Sequence, residues 1–239
     1  MKPPETKLAV ADWLVLVIAL TLPTAITWLY FVALDGADKR LQQGAYTIGK
    51  AIQFALPVLW LVLIRKQVPQ WPRLTSRGLM LGLFLGLAIG GGMLALYFFV
   101  LKPAESFAGP ADAVRLKMQS IGVQSVAAFA AMGIFYSVLH SLLEEYYWRW
   151  FVYSQLCRRW TLPLALGVAG IAFASHHVLV VAHYFGWLSP LTWLCSASVA
   201  IGGVLWGLLY ERTRSLYAPW LSHALVDAAI FIIGYDIIA

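Results

Sequence analysis

Long apolar segments recur along almost the whole chain and leave only short polar connections between them. Of the 239 residues, 61% are hydrophobic and only 12% are charged, which is about half the charged fraction of an ordinary soluble domain. A helix of about 20 apolar residues crosses a hydrocarbon layer about 30 Å thick. The sequence therefore predicts an all-α polytopic membrane protein with about seven to eight transmembrane helices.

Seven spanning segments can be placed directly. They are Trp13–Ala33, Ile48–Ile64, Leu79–Leu101, Val123–Leu156, Leu162–Tyr184, Leu188–Tyr210 and Leu216–Ile238. The polar stretch Lys102–Ile121 contains two prolines, and we expect a short amphipathic helix over Ala111–Ile121. Gly90, Gly91 and Gly92, and Gly203 with Gly207, are expected to permit close helix packing. Cys157 and Cys195 lie in separate apolar segments and indicate no disulfide framework.

The basic residues predict the orientation of the chain in the membrane. With alternating crossings, 11 of them fall on one side, namely Lys2, Lys7, Arg65, Lys66, Arg73, Arg77, Arg149, Arg158, Arg159, Arg212 and Arg214. The other 6 are Lys39, Arg40, Lys50, Lys102, Arg115 and Lys117. Because cytoplasmic loops carry the excess of Lys and Arg, we expect a cytoplasmic N-terminus and a C-terminus outside. Short basic loops of this kind meet anionic lipid, so the net charge of +6 does not indicate nucleic-acid binding.

Several ionisable residues lie inside the apolar segments of the C-terminal half. They are Glu144, Glu145, Arg149, His177, His223 and Asp227. An ionised side chain near the middle of a bilayer costs about 2.5–3.5 kcal/mol on insertion scales. A chain that accepts this cost several times predicts a polar functional site built inside the membrane.

Helical spacing sorts these residues into groups. Residues four apart share a helix face, so Glu145 can pair with Arg149, and Glu144 is rotated from Glu145 by about 100°. The same spacing places the ring of Phe173 a turn below the imidazole of His177, and it places Asp227 beside His223. Glu and His are suited to taking a proton from water and returning it to a leaving amine, and a second His can donate to an oxyanion.

Other histidines and the Glu145–Arg149 pair also have plainer interpretations. Glu145 with Arg149 is also consistent with a structural ion pair alone. His176 is adjacent to His177 but is expected to face elsewhere, toward helix packing or the lipid interface. His140 lies one turn before Glu144 on the same face and is a candidate for a supporting contact with the site. His183 is expected near a membrane surface, without a functional role.

Three short motifs together resemble the signature of one family. They are Glu144-Glu145-x-x-x-Arg149, Phe173-x-x-x-His177 and His223-x-x-x-Asp227, each within a hydrophobic segment. This set resembles the CPBP family of CAAX-prenyl endopeptidases and bacteriocin-processing or self-immunity proteins, also called Abi proteins. The resemblance covers roughly residues 125–235. It implies one integrated membrane domain, in which residues 1–122 supply N-terminal helices and loops and residues 123–239 form the catalytic core.

What the resemblance implies is glutamate-dependent intramembrane proteolysis. Glu144 would be the general base that activates a water together with His177, and Glu145 with Arg149 would shape the site. His223 and residue 227 would form the oxyanion hole, but position 227 is Asp here, where the prenyl-protein proteases favour Asn. An ionised Asp accepts hydrogen bonds only, so Asp227 would either fix the tautomer of His223 or be held protonated by burial.

The family resemblance also bears on the cofactor and the partners to expect. Glu144, His177, His223 and Asp227 are also able to ligate zinc, but the chain has no His-Glu-x-x-His helix, and we favour a site without metal. The expected partners are the lipid bilayer and a hydrophobic, lipidated or membrane-anchored peptide or protein. The charge bias and compact length favour a prokaryotic plasma membrane.

Two other functions are compatible with these residues. A non-proteolytic scaffold or self-immunity protein would keep the fold without the activity. A proton-coupled transporter would use the Glu and His residues as a relay, but the polar groups occupy only one half of the chain. The enzyme hypothesis also predicts a depth match. For Glu144 to meet both His177 and His223, its helix should continue to about Cys157, followed by a short turn at Arg158–Thr161.

Overall fold

Seven long apolar helices and one shorter helix make up the fold. The computed structural model describes residues 10–70, 72 and 74–238, and no strand occurs among these residues. The seven long helices, each long and apolar enough to cross a membrane, are α1 (Val10–Ala33), α2 (Lys39–Ile64), α3 (Ser76–Leu101), α5 (Val126–Cys157), α6 (Leu162–Phe185), α7 (Pro190–Thr213) and α8 (Tyr217–Ile238). The short helix α4 (Ala108–Ser120) lies between α3 and α5. The prediction of an integral, polytopic, all-α membrane protein is confirmed.

Local sequence signals start and stop these helices. The side chain of Asp38 caps α2, that of Thr75 caps α3, and that of Ser125 caps α5 by accepting from backbone N–H groups of the first turn. Proline occupies the first turn of both α6 and α7, where no intrahelical N–H bond is lost. Gly186, with a φ of 81°, ends α6 in a conformation that favours glycine.

Helix α5 has the extent that a site shared with α6 and α8 requires. It ends at Cys157, and α6 begins at Leu162, so the turn between them covers only Arg158–Thr161. Two π-helical segments, Phe135–His140 and Tyr146–Tyr153, flank the turn that carries Glu144 and Glu145. Such wider turns often occur at functional sites. The predicted depth match between the three helices is therefore confirmed.

The helices pack through close backbone contacts. Helix α3 lies along α8, and α6 lies along α7. A Cβ atom added at Gly82 would lie 2.2 Å from the carbonyl oxygen of Ala218, so only glycine permits this approach of α3 to α8. Gly90, Gly203 and Gly207 also lie at helix contacts, as predicted. Gly91 and Gly92 do not, because nothing lies within 4 Å of the position where their Cβ would be.

The distribution of side chains is that of a protein in lipid. Large apolar residues cover the outer faces, and Phe99 and Leu188 are 81% and 98% exposed. By contrast, Glu144, Glu145 and Arg149 on α5 are buried at 3%, 0% and 2% exposure. The polar groups are therefore enclosed by the helix bundle and shielded from the lipid.

The membrane orientation stays a prediction. Lys50, which the charge count assigns to the outer side, lies inside α2, eleven residues after the first residue of that helix. Hydropathy alone missed the polar first turns of α2, which begins at Lys39 and not at Ile48. Lys2, Lys7 and Arg73, which also enter the count, lie outside the described residues.

Candidate active site

Glu144 lies at the centre of a buried cluster of imidazole rings. Its Oε1 lies 3.6 Å from Nε2 of His176 and 4.0 Å from Nε2 of His140. Its Oε2 lies 3.8 Å from Nε2 of His223. Donor atoms of Glu144, His176 and His177 all lie within 4.8 Å of one another. A carboxylate buried among four imidazoles is surrounded by groups that can hold and exchange protons.

His176 is a member of this cluster, so its predicted orientation away from the site is wrong. The side chain is buried, and the ring of Trp148 lies parallel to it at a centroid distance of 6.2 Å. The side chains of adjacent residues on a helix point in directions about 100° apart. A carboxylate that lies between these two directions can approach both side chains. The rings of His176 and His177 accordingly have centroids only 4.1 Å apart, on the side of α6 that faces Glu144.

His177 is oriented by its own helix. Its Nδ1 lies 3.0 Å from the backbone carbonyl oxygen of Phe173, and the two rings pack with centroids 4.9 Å apart. The predicted packing of Phe173 below His177 is confirmed. Because a carbonyl oxygen only accepts, Nδ1 carries the proton, and a neutral His177 therefore has Nε2 free to accept a hydrogen bond from water.

Glu145 connects the ion pair on α5 to the histidine on α8. Its Oε1 lies 3.0 Å from Nη1 of Arg149, as the helical spacing predicted, and 2.8 Å from Nδ1 of His223. The contact with His223 links residues 78 positions apart in the sequence and could not be predicted from local spacing. Glu145 is thus a positioning group for His223 as well as the partner of Arg149.

The side chain of Arg149 contacts α6 and α7 as well as Glu145. Its Nη2 donates to the carbonyl oxygen of Gly203 at 3.1 Å, and its guanidinium lies over the rings of Phe173 and Trp206 at 4.8 and 5.3 Å. Trp206 in turn stacks on His223 with a centroid distance of 4.0 Å and an interplanar angle of 18°. The absence of a side chain at Gly203 lets α7 come this close to α6.

The ring of His223 has carboxylates at both nitrogens. Nδ1 faces Glu145, while Nε2 lies 3.5 Å from Oδ1 of Asp227 and 3.8 Å from Oε2 of Glu144. Carboxylate oxygens only accept, so this environment favours a proton on each ring nitrogen. Glu145, and not Asp227, makes the short contact that orients the ring. Asp227 lies on the side of the ring that faces the site.

The possible metal ligands differ from those predicted. Within the described part of the chain, the residues that could hold an ion are Glu144, His176 and His177, not the set with His223 and Asp227. Donor atoms around a tetrahedral zinc ion lie about 3.4 Å apart, given bonds of about 2.0–2.1 Å. The three side chains therefore have suitable chemistry for zinc but would need to move closer together to bind it.

A cavity of about 480 Å³ adjoins the cluster on the side where α1 and α8 end and α2 and α5 begin. Its lining is mostly apolar and aromatic and includes Tyr46, Phe129, Tyr136 and Phe231. The ring of Tyr136 has its centroid 4.9 Å from that of His140, which contacts Glu144. The cavity is thus linked to the buried carboxylate through the side chains of Tyr136 and His140.

These features define a polytopic membrane protein with a buried carboxylate and imidazole site on its C-terminal helices. Residues 126–229 match the family described as "Type II CAAX prenyl endopeptidase Rce1-like". This match agrees with the CAAX-protease family that the motifs of this segment resemble. No curated protein and no solved structure matched the chain. The matched segment contains all of the motif residues, whereas α1 to α4 lie outside it.

Proposed function

We propose that the protein is an intramembrane endopeptidase that hydrolyses a peptide bond in a membrane-associated or lipidated protein or peptide. The observation that carries this proposal is the position of Glu144, a buried carboxylate among imidazoles beside a largely apolar cavity. The family match supports the same class of activity. A structural ion pair would need only Glu145 and Arg149, and it leaves Glu144 and its histidines without a role.

The first step is the activation of water. Glu144 and Nε2 of His177 together hold one water molecule, and Glu144 takes a proton from it as its oxygen attacks the carbonyl carbon of the substrate. His176, whose Nε2 lies 3.6 Å from Glu144, supports the carboxylate from the other side. A positioned general base of this kind contributes about 10²–10⁴ to the rate.

The second step is the stabilisation and collapse of the tetrahedral intermediate. His223 donates from Nε2 to the oxyanion, because Glu145 holds Nδ1 and Trp206 fixes the plane of the ring. The C–N bond then breaks, and Glu144 returns its proton to the leaving amine. Asp227 lies close enough to Nε2 to hold that N–H in place between turnovers.

Dependence on metal is a separate question with a direct test. Zinc would be held by Glu144, His176 and His177 and would supply a more acidic bound water. We expect the purified protein to keep its peptidase activity after metal stripping and treatment with a chelator, because Glu144 and His177 activate water without an ion. Loss of activity that added zinc restores would contradict this expectation.

The substrate can be sought in cells. Membrane proteomes are compared between cells that carry the intact protein and cells that carry Glu144→Ala, at matched protein levels. A precursor that accumulates only with Glu144→Ala identifies the substrate and supports the proposal. If the two proteomes are identical and cells with Glu144→Ala keep any phenotype of the intact protein, the result would instead favour a scaffold or self-immunity role.

A further inference from the structure

A lysine on α2 carries a positive charge close to the candidate active site. Lys50 lies eleven residues after the first residue of α2, which is about 16 Å along the helix at about 1.5 Å per residue. A charged side chain inside a membrane-spanning helix is costly and usually has a function. Helix α2 lies outside the segment that matches the family, so the family motifs do not account for this residue.

The surroundings of Lys50 are aromatic. Its Nζ lies 5.6 Å from the ring centroids of both Tyr46 and Phe54, which flank it on the same face of α2. Within the described residues, no carboxylate oxygen lies within 4.0 Å of this ammonium.

Lys50 lies between the cavity and the catalytic cluster. Tyr46, one helical turn before it, lines the cavity of about 480 Å³, and Phe54, one turn after it, packs against His140 with ring centroids 6.2 Å apart. The cavity is also lined by Lys117, but its Nζ already donates to the hydroxyl of Tyr30 at 2.7 Å. An anion that passes from the cavity toward Glu144 therefore meets Lys50 as an available cation.

The chemistry of a peptide tail selects among the anions that Lys50 could meet. An acidic side chain within a hydrophobic tail adds its own desolvation cost. The terminal carboxylate, by contrast, is the anion that every C-terminal peptide tail brings with it. Lysine binds such a group as a point charge.

We propose that Lys50 binds the free C-terminal carboxylate of the substrate and thereby sets the distance from the chain end to the cleaved bond. The proposal deepens the proposed function and depends on the same site. The ring of Phe54 separates Nζ of Lys50 from the ring of His140 by contacts of 5.6 and 6.2 Å.

The test compares one prenylated CAAX peptide in two forms, as the free C-terminal acid and as the C-terminal amide. The full-length protein in proteoliposomes is assayed as wild type, Lys50→Met and Lys50→Arg. We expect the wild type to cleave the acid at least tenfold more efficiently, mainly through KM, and Lys50→Met to bring the acid down to the efficiency of the amide. Lys50→Arg keeps the charge and should keep most of the preference.

Lys117→Met is the matched control, because it removes the lysine that lines the cavity and should preserve the preference for the acid. If Lys50→Met reduced cleavage of acid and amide equally, Lys50 would act on Glu144 or on folding, and the carboxylate site would be wrong. A wild type without preference would also overturn it.

A binding measurement separates this proposal from the peptidase proposal. The same peptides, labelled with a fluorophore, are bound to Glu144→Gln and to the double variant Glu144→Gln/Lys50→Met. Tighter binding of the acid that disappears in the double variant supports the carboxylate site, even if the wild type cleaves neither peptide and the peptidase proposal fails for them. Equal binding of acid and amide, at any affinity, contradicts the carboxylate site.

Discussion

Replacing Glu144 by Gln is expected to lower the rate of peptide hydrolysis by about 10³-fold. Glutamine keeps the size of the side chain but cannot take a proton from water, and general-base catalysis of this kind contributes about 10²–10⁴. The surrounding histidines stay in place, but none of them replaces the carboxylate that lies between them. The measurement is kcat for a peptide substrate identified by the proteome comparison, with the protein in proteoliposomes.

The control for this variant is a second Glu-to-Gln change far from the site. Glu105 is exposed in the connection between α3 and α4, so Glu105→Gln should keep the wild-type rate. Thermal unfolding in detergent should show that Glu144→Gln is still folded. Retention of more than a tenth of the wild-type rate by Glu144→Gln would rule out Glu144 as the base and would move attention to His176 and His177.

The sequence predicted the spanning helices well because long apolar segments are a strong local signal. It predicted the end of α5 at Cys157 and the turn at Arg158–Thr161, since Glu144 had to reach two other helices. It missed the first nine residues of α2, which begin at Lys39. Those residues are polar, and the helix there is set by the Asp38 cap and not by hydrophobicity.

The site was predictable only where contacts follow from helical spacing. Glu145 with Arg149, and Phe173 with His177, are four residues apart on one helix, and both contacts were predicted. The contact of Glu145 with His223 depends on how α5 and α8 are rotated about their axes, which no local pattern encodes. The same is true of His176 and of Lys50.

Rotation also explains why the sequence predicts unequal roles for the two adjacent histidines. The helical spacing separates His176 from His177 by about 100°, which suggests that only one can face the site. In the structure Glu144 lies between the two directions, and Trp148 packs behind His176. That both histidines face the site can be recognised only once the position of the opposing helix, α5, is known.

The last prediction concerns the ion pair that supports the site. Arg149→Met is expected to lower the free energy of unfolding by about 3–5 kcal/mol, because the buried Glu145 carboxylate loses its guanidinium partner and keeps only part of its stabilisation through the contact with His223. Both side chains are at most 3% exposed, so water cannot take over the lost interaction. The measurement is equilibrium unfolding in detergent micelles, with Arg214→Met as the control, because Arg214 pairs with Glu211 at the end of α7 and its side chain is 72% exposed.

The double variant Glu145→Gln/Arg149→Met separates stability from activity. It removes both charges, so it should regain a large part of the stability that Arg149→Met alone loses, because no unpaired charge remains buried. It should nevertheless stay inactive, because the glutamine that replaces Glu145 offers no carboxylate to Nδ1 of His223, and that ring loses the charge that holds it toward the oxyanion. A double variant no more stable than Arg149→Met would show that the pair contributes little, and a double variant with wild-type activity would show that Glu145 does not position His223.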